Sequence, residues 1–263
     1  MSTFIENVTI KRLLRDVKQI IQNPLTDNGI YYCHDENDLT KGYAMIVGPS
    51  DTPYFGGFYF FKFSFPHDYP FTPPKVTFMT RDGKTRFNPN LYVNGKVCVS
   101  ILNTWDGEQW SACQNINSIL LTLCSLLTNK PLLNEPGFTS GSRDFKPYHK
   151  TIEYVNIDFA ICDLLDKRLN KIPTPFETFY PFMVEHFYKN YDVILRNMQN
   201  MKVKQTTYTT NFYNMVANVD YTTLINKFIA TKQALDTNAF EPDISQFDET
   251  LDELTKQDSS EDK

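Results

Sequence analysis

The stretch Arg86–Ser111, RFNPNLYVNGKVCVSILNTWDGEQWS, folds the chain back twice around one cysteine. Asn88-Pro89 and Asn94-Gly95 are turn-forming pairs, because proline fixes φ while Asn and Gly tolerate positive φ. The short apolar runs between and after these turns predict extended segments that bring Cys98 close to Asn90. A thiol becomes a nucleophile once it is accessible and deprotonated. A lone cysteine is more often a small buried hydrophobe, so the pattern alone leaves both interpretations open.

The flanking sequence predicts an α+β domain. Four strand-like runs with short links precede the stretch and imply an antiparallel meander: Ile30–Cys33, Tyr43–Val47, Gly57–Phe65 and Lys75–Thr80. Apolar residues at helical spacing predict a helix from Ile10 to Ile21, ended by Pro24, and a buried helix from Ile116 to Leu127. The helix before the strands and the helix after the cysteine should cover the sheet.

Several of these segments resemble ubiquitin-conjugating enzymes (E2 enzymes). In that family an asparagine precedes the catalytic cysteine by eight residues, and Asn90 and Cys98 keep this spacing. The proline-rich run Phe65–Val76, FPHDYPFTPPKV, and the first helix with Arg12 and Pro24 also resemble family patterns. The resemblance implies the ubiquitin-conjugating (UBC) fold, a thioester formed on Cys98, and support of the oxyanion by Asn90.

The same segments depart from the family pattern at three places. Asn88 stands where most members have a histidine, a short insertion containing Trp105 follows Cys98, and Ala112 replaces the usual proline after Trp-Ser. The histidine is mainly a structural hydrogen-bonding residue in the family, so its loss leaves the implied chemistry in place. Ala112 lies at a position that meets ligases in relatives, so the choice of ligase is open.

The segment Lys130–Phe138 resembles a family loop beside the active site that often carries an acidic gate residue. Such a carboxylate helps to orient or deprotonate the incoming lysine. Counting back from Pro136 places Glu135 at the gate, and another placement of the gap puts Asn134 there. A carboxylate suits proton removal better than an amide, and a simple turn before Pro136 is the alternative.

The resemblance also implies partners but no cofactor. Lys11, Arg12, Phe71 and Ala112 lie at positions that contact the activating enzyme or the ligase in relatives, although charged residues on a helix more often form a solvated face. The implied partners are ubiquitin or a ubiquitin-like modifier, an activating enzyme and a ligase. No metal or organic cofactor is implied in this protein, since the activating enzyme uses the ATP.

Composition indicates the cellular compartment and the class of partner that such chemistry would involve. The chain of 263 residues has a net charge of −5 and five irregularly spaced cysteines, which predicts neither disulfides nor a zinc site and suits a reducing cytoplasmic or nuclear compartment. The first residues show no signal-peptide pattern, and no apolar run is long enough to span a membrane. Without a basic stripe, nucleic acid is not expected as a partner.

The chain continues beyond the predicted conjugating domain, which we place at residues 1–170. Apolar spacing predicts a helix from Ile152 to Leu165, an aromatic-rich helix over 176–198, and a helix from Tyr221 to Leu235, with a Thr-, Asn- and Tyr-rich loop over 203–218. We therefore expect a helical C-terminal extension over 171–236. Its aromatic stripe should dock on the conjugating domain or on a second copy of the chain.

An acidic tail over 237–263 closes the chain, and we expect it to be disordered, since it holds nine acids against two lysines. The loop before Asn88, the Trp105 insertion and the segment from Asn134 to Phe138 all resemble the large, C-terminally extended Z subgroup of the family.

Two rival functions remain at this point. A non-catalytic binder on the same fold would hold ubiquitin without transferring it, but such variants lack the cysteine. A cysteine hydrolase would need a base, and the candidates are His34, His67, His149 and His186. None of these histidines lies in a recognisable partner motif.

Overall fold

The computed structural model describes residues 7–202 and 204–237. Helix α1 spans Asn7–Gln22, and strands β1 (Ile30–His34), β2 (Lys41–Val47), β3 (Phe58–Ser64) and β4 (Lys75–Phe78) follow it. The strands form one antiparallel sheet in the order β1-β2-β3-β4. Helix α2 spans Ile116–Ser125. The predicted helix, four-stranded meander and central helix are therefore confirmed.

Both faces of the sheet are covered, as the aromatic run in β3 predicts. Phe58, Tyr59, Phe60 and Phe61 are consecutive and all fully buried, and successive side chains of a strand point to opposite faces. Two layers must therefore pack on the sheet, one on each side.

Among the described residues, the chain after α2 forms three further α-helices and a hairpin. Helix α3 spans Phe145–Val155, α4 spans Tyr180–Gln199 and α5 spans Tyr221–Thr237. Strands β5 (Gln205–Thr209) and β6 (Val216–Asp220) pair antiparallel between α4 and α5. The prediction of a loop over 203–218 is therefore wrong. Threonine favours strands because its branched side chain fits a pleated surface, but only Ala217 and Val219 of these strands are buried, so the apolar signal was weak.

The predicted helix over Ile152–Leu165 is not a single α-helix. Its first residues belong to α3, and Asn156–Asp163 continue as a π-helical segment. The Asn156 side chain accepts a hydrogen bond from Tyr59 Oη and donates one to Phe55 O over 3.0 Å. A Cβ on Gly57 would lie 1.9 Å from Asn156 Oδ1, so glycine is required for this close approach. Such π-helical segments are rare.

The extension docks on the conjugating domain of the same chain. A 3-10 turn over Thr174–Phe179 precedes α4, and the Phe176 ring lies 5.4 Å from the Tyr43 ring and 5.0 Å from the Phe60 ring. The Phe182 ring of α4 lies 4.7 Å from the Tyr31 ring. Of the two predicted arrangements, docking on the domain and docking on a second copy, the structure has the first.

Ion pairs join α5 to the π-helical segment. The Lys227 ammonium contacts the carboxylates of Asp158 and Asp163. Within residues 7–202 and 204–237, no helix has the length and apolar character to cross a bilayer, and no group of His, Cys, Asp and Glu is arranged to hold a metal ion. The predicted disorder of the acidic tail concerns residues that lie, apart from Thr237, outside the described part of the chain.

Candidate active site

The two turns of the stretch Arg86–Ser111 pair the segments that carry Asn90 and Cys98. The Cys98 N–H donates to Asn90 O over 2.9 Å, and the Asn90 side-chain amide Nδ2 donates to Cys98 O over 2.6 Å. Gly95, with φ of 92°, closes the turn between them by donating its N–H to Tyr92 O. The predicted proximity of Asn90 and Cys98 is confirmed, while their catalytic roles stay predictions.

The Asn90 amide is fixed at one end only. Its Nδ2 is bound to the Cys98 carbonyl, whereas its Oδ1 is buried and has no hydrogen-bond partner among the described residues. The side-chain amide therefore directs its donor at the backbone of the cysteine.

Asn88 performs the structural task expected at its position. Its side-chain Nδ2 donates to Tyr54 Oη over 3.0 Å and to Leu126 O over 2.8 Å, and its Oδ1 accepts the Asn90 N–H over 2.9 Å. Asn88 is fully buried. The asparagine thus ties the turn to the end of α2 and to Asn90.

The cysteine itself is buried, since Cys98 is 2% exposed. The Thr104 side chain bridges the backbone on both sides of Cys98. Its Oγ1 accepts a hydrogen bond from the Val99 N–H over 3.0 Å, and this hydroxyl lies 2.9 Å from Val97 O. The insertion that carries the partly exposed Trp105 follows directly. The thiol must therefore become more accessible before it can attack a thioester.

Three of the other cysteines have thiols with raised pKa values, and the fourth lies away from the Asn90 amide. All five cysteines are free. Burial raises the pKa of the Cys33 and Cys162 thiols to about 12, and it also raises the pKa of Cys124. A raised pKa disfavours the thiolate, which is the reactive form. Cys113 is exposed, but it lies outside the paired segments that hold Asn90.

The two candidate gate residues have different surroundings. Asn134 ends a 3-10 turn over Pro131–Asn134, and its Nδ2 donates to Leu126 O over 3.1 Å. The Glu135 carboxylate is partly buried and accepts a hydrogen bond from Tyr213 Oη over 2.7 Å. Asn134 is thus tied into the end of α2, whereas Glu135 presents a carboxylate that the extension holds.

Sequence reasoning missed Arg86 as a support of the site. Its guanidinium donates to Asn88 O over 3.2 Å and to Pro89 O over 2.6 Å, and it stacks 3.2 Å from the Tyr92 ring centroid. Arg86 thereby holds the two carbonyls that directly precede Asn90. The position of this arginine two residues before the Asn-Pro turn is the sequence signal that could have identified it as a support of the site. No residue spacing indicated the contact of Tyr213 with Glu135.

Three of the four predicted partner-binding residues are accessible. Lys11 and Ala112 are exposed, and Phe71 is 70% exposed. The Arg12 side chain is only 10% exposed and forms an ion pair with Asp16. Its guanidinium also donates to the carbonyls of Ala112 and Gln114. Arg12 therefore clamps α1 to the segment before α2, and the partner-binding roles of all four residues stay predictions.

Comparisons with known proteins point to one family. A family model described as "Ubiquitin-conjugating enzyme" matches residues 12–154. The chain is similar to ubiquitin-conjugating enzyme E2 Z of Xenopus tropicalis, with 45% identity over 61% of this chain and 51% of the relative. Its identity to the human protein of that name is 44%, over 69% of this chain and 50% of the relative. The chain therefore spans about half the length of these relatives.

The chain is also similar to a solved structure. Human ubiquitin-conjugating enzyme E2 G1 is 32% identical to this chain over 98% of its own length and 48% of this chain, with a TM-score of 0.41.

Proposed function

The chain belongs to the ubiquitin-conjugating enzyme family, and on that premise we propose that it carries and transfers ubiquitin or a ubiquitin-like modifier. Cys98 accepts the modifier from an activating enzyme as a thioester and passes it to a substrate lysine, with or through a ligase. The observation that carries this proposal is the reciprocal pairing of Asn90 with Cys98, in which the amide lies 2.6 Å from the cysteine carbonyl.

Both half-reactions are acyl transfers in which the thiol is first nucleophile and then leaving group. In charging, the Cys98 thiolate attacks the activating enzyme's thioester, a new C–S bond forms, and the old thiol leaves. In transfer, a lysine amine attacks the thioester carbon, the C–N bond forms, and the Cys98 thiolate departs and takes a proton from water. The amine's own proton passes to a base.

Asn90 has a role in the second of these steps. An amide N–H that reaches the tetrahedral oxyanion lowers the barrier only while that charge exists. The Asn90 Nδ2 is bonded to the Cys98 carbonyl in the uncharged protein, so it can exchange this weaker neutral acceptor for the oxyanion. Charge-assisted hydrogen bonds are about twice as strong as neutral ones, which favours the exchange.

The partners follow from the same proposal. Lys11, Phe71 and Ala112 are exposed and are available to an activating enzyme or a ligase. The chemistry needs a free thiol, and the free state of all five cysteines supports a reducing cytoplasmic or nuclear setting.

The rival functions receive less support. Cys98 is present beside Asn90, which argues against a non-catalytic variant. The Cys-His hydrolase needs a histidine base, and the hydrogen bonds of two candidates lead elsewhere, His34 to Tyr32 and Leu39, and His186 to Tyr31. None of the contacts described for the histidines in residues 7–202 and 204–237 involves Cys98.

A charging assay tests the proposal. The protein is incubated with ATP, purified activating enzymes and a panel of modifiers, and adducts are separated with and without reductant. A reductant-sensitive adduct should form with at least one modifier, and Cys98→Ser should give a reductant-resistant oxyester or no adduct. The matched control Cys113→Ser removes an exposed thiol and should charge normally. Normal charging of Cys98→Ala would overturn the assignment.

A further inference from the structure

We propose that the tip of the β5–β6 hairpin, residues 210–215, is part of the active site and that Tyr213 positions the Glu135 carboxylate for the transfer step. This inference rests on the proposed function and extends it to the C-terminal extension. It assigns the extension a part in transfer in addition to its packing on the sheet.

The hairpin tip is a closed and defined turn. Thr210 donates its N–H to Met215 O over 2.9 Å, and the Met215 N–H returns to Thr210 Oγ1 over 3.2 Å. Thr210 and Met215 are both buried. Asn214 adopts a left-handed conformation with φ of 53°, which asparagine tolerates better than most residues. Tyr213 therefore projects from a fixed backbone.

Three contacts anchor the tip on the conjugating domain, on either side of Tyr213. The Phe212 N–H donates to the buried Asp144 carboxylate over 2.8 Å, and the Phe212 ring lies 4.9 Å from the Phe138 ring. On the other side, the Arg86 N–H lies 3.2 Å from the Met215 sulfur. The tip thus bridges the segment Lys130–Phe138, which holds the two gate candidates, and the segment that leads into Asn90.

Tyr213 lies between these anchors and contacts both parts of the site. Its hydroxyl donates to Glu135 Oε2 over 2.7 Å, and its ring lies 5.2 Å from the Arg86 guanidinium. Burial and the Glu135 carboxylate raise the pKa of Tyr213, so the hydroxyl stays protonated and remains a donor. A carboxylate can accept several hydrogen bonds, so Tyr213 fixes Glu135 and still leaves it able to accept a proton.

The consequence is a selective effect on one half-reaction. During transfer, the lysine amine forms the C–N bond, the C–S bond breaks, and the amine's proton passes to Glu135 and then to water. Charging proceeds by thiolate attack and requires no such acceptor. Misplacing the carboxylate should therefore slow transfer to lysine and leave charging intact.

Removal of the Tyr213 hydroxyl tests this directly. Tyr213→Phe keeps the ring that faces Arg86 and Tyr148 and deletes only the bond to Glu135. We expect charging at the wild-type rate and a discharge of the preformed thioester to free lysine that is about tenfold slower, since a placed general base contributes roughly 10²–10⁴-fold and only its placement is lost. The maximal rate should fall while the lysine concentration for half-maximal rate stays unchanged. Tyr208→Phe, on strand β5 of the same hairpin, is the matched control and should discharge normally.

A double variant separates positioning from a structural role. If Tyr213 acts through Glu135, then Tyr213→Phe adds nothing in a Glu135→Gln background, and Glu135→Gln alone slows discharge at least as much. The inference is overturned if Tyr213→Phe or Glu135→Gln discharges at the wild-type rate. It is also overturned if Tyr213→Phe loses charging and discharge equally and has a lowered melting temperature. If the wild-type protein charges with no modifier, the proposed function fails, and the inference fails with it.

Discussion

Replacing Phe176 by alanine measures how firmly the C-terminal extension is integrated into the conjugating fold. The Phe176 side chain is 1% exposed and packs on the rings of Tyr43 and Phe60 at 5.4 and 5.0 Å. Burial of ~150–250 Å² at ~25 cal/mol per Å² is worth several kcal/mol, and Phe-to-Ala changes in cores cost about 3–5 kcal/mol. At about 2–4 °C per kcal/mol for a protein of this size, Phe176→Ala should lower Tm by roughly 6–20 °C.

The chain supplies its own probe and its own control for this measurement. Both tryptophans, Trp105 and Trp110, lie in the conjugating domain, so their fluorescence reports the unfolding of that domain during heating or in urea. Phe71→Ala makes the same chemical change at a residue that is 70% exposed, and it should alter the free energy of unfolding by no more than about 0.5 kcal/mol. If the tryptophan fluorescence of Phe176→Ala and of Phe71→Ala shows the same unfolding midpoint, the extension is an independent module and the packing argument is refuted.

Two further predictions concern catalysis and pH. Asn90→Ala should charge at a near-normal rate but discharge to lysine about 10²–10³-fold more slowly, the loss typical of one oxyanion donor; poor charging with a lowered melting temperature would point to a structural role instead. Burial, Lys150 and Lys130 lower the pKa of His149 to about 4, whereas the pKa of an unfolded histidine is about 6.5. As pH falls from about 6.5 to 4 the unfolded state binds this proton first, so the free energy of unfolding should decrease. The decrease should be smaller in His149→Gln. If the urea midpoint changes by the same amount between pH 7 and pH 4.5 in both proteins, the assignment is wrong.

The parts of the fold that follow from the sequence are those with local causes. Turn residues and short strand-like apolar runs predicted the antiparallel meander, and the register confirms it. Asn90 and Cys98 are eight residues apart and joined by a tight turn, so their pairing could be inferred before any tertiary contact was known. Turn chemistry and strand period act over a few residues, and a sequence displays them directly.

The hairpin shows where this kind of inference fails. Strands β5 and β6 carry few apolar residues, and they pack against α3, which is distant in sequence. The same limit applies to Arg12, whose position on a charged helix face indicated a solvated or partner-binding residue. Its actual acceptors, the carbonyls of Ala112 and Gln114, lie about a hundred positions along the chain.

Local sequence patterns are thus sufficient to predict the meander, the turn around Cys98 and the amphipathic helices. Long-range packing is needed to bring the Tyr213 hydroxyl to Glu135, 78 positions away, and the Met215 sulfur to the backbone of Arg86, 129 positions away. Each of these contacts depends on how the docked extension directs its hairpin, and that orientation results from the summed burial of many side chains, such as Phe176 and Phe182. No local spacing encodes such a sum, because the free energy that fixes it belongs to surfaces that exist only after the chain has folded.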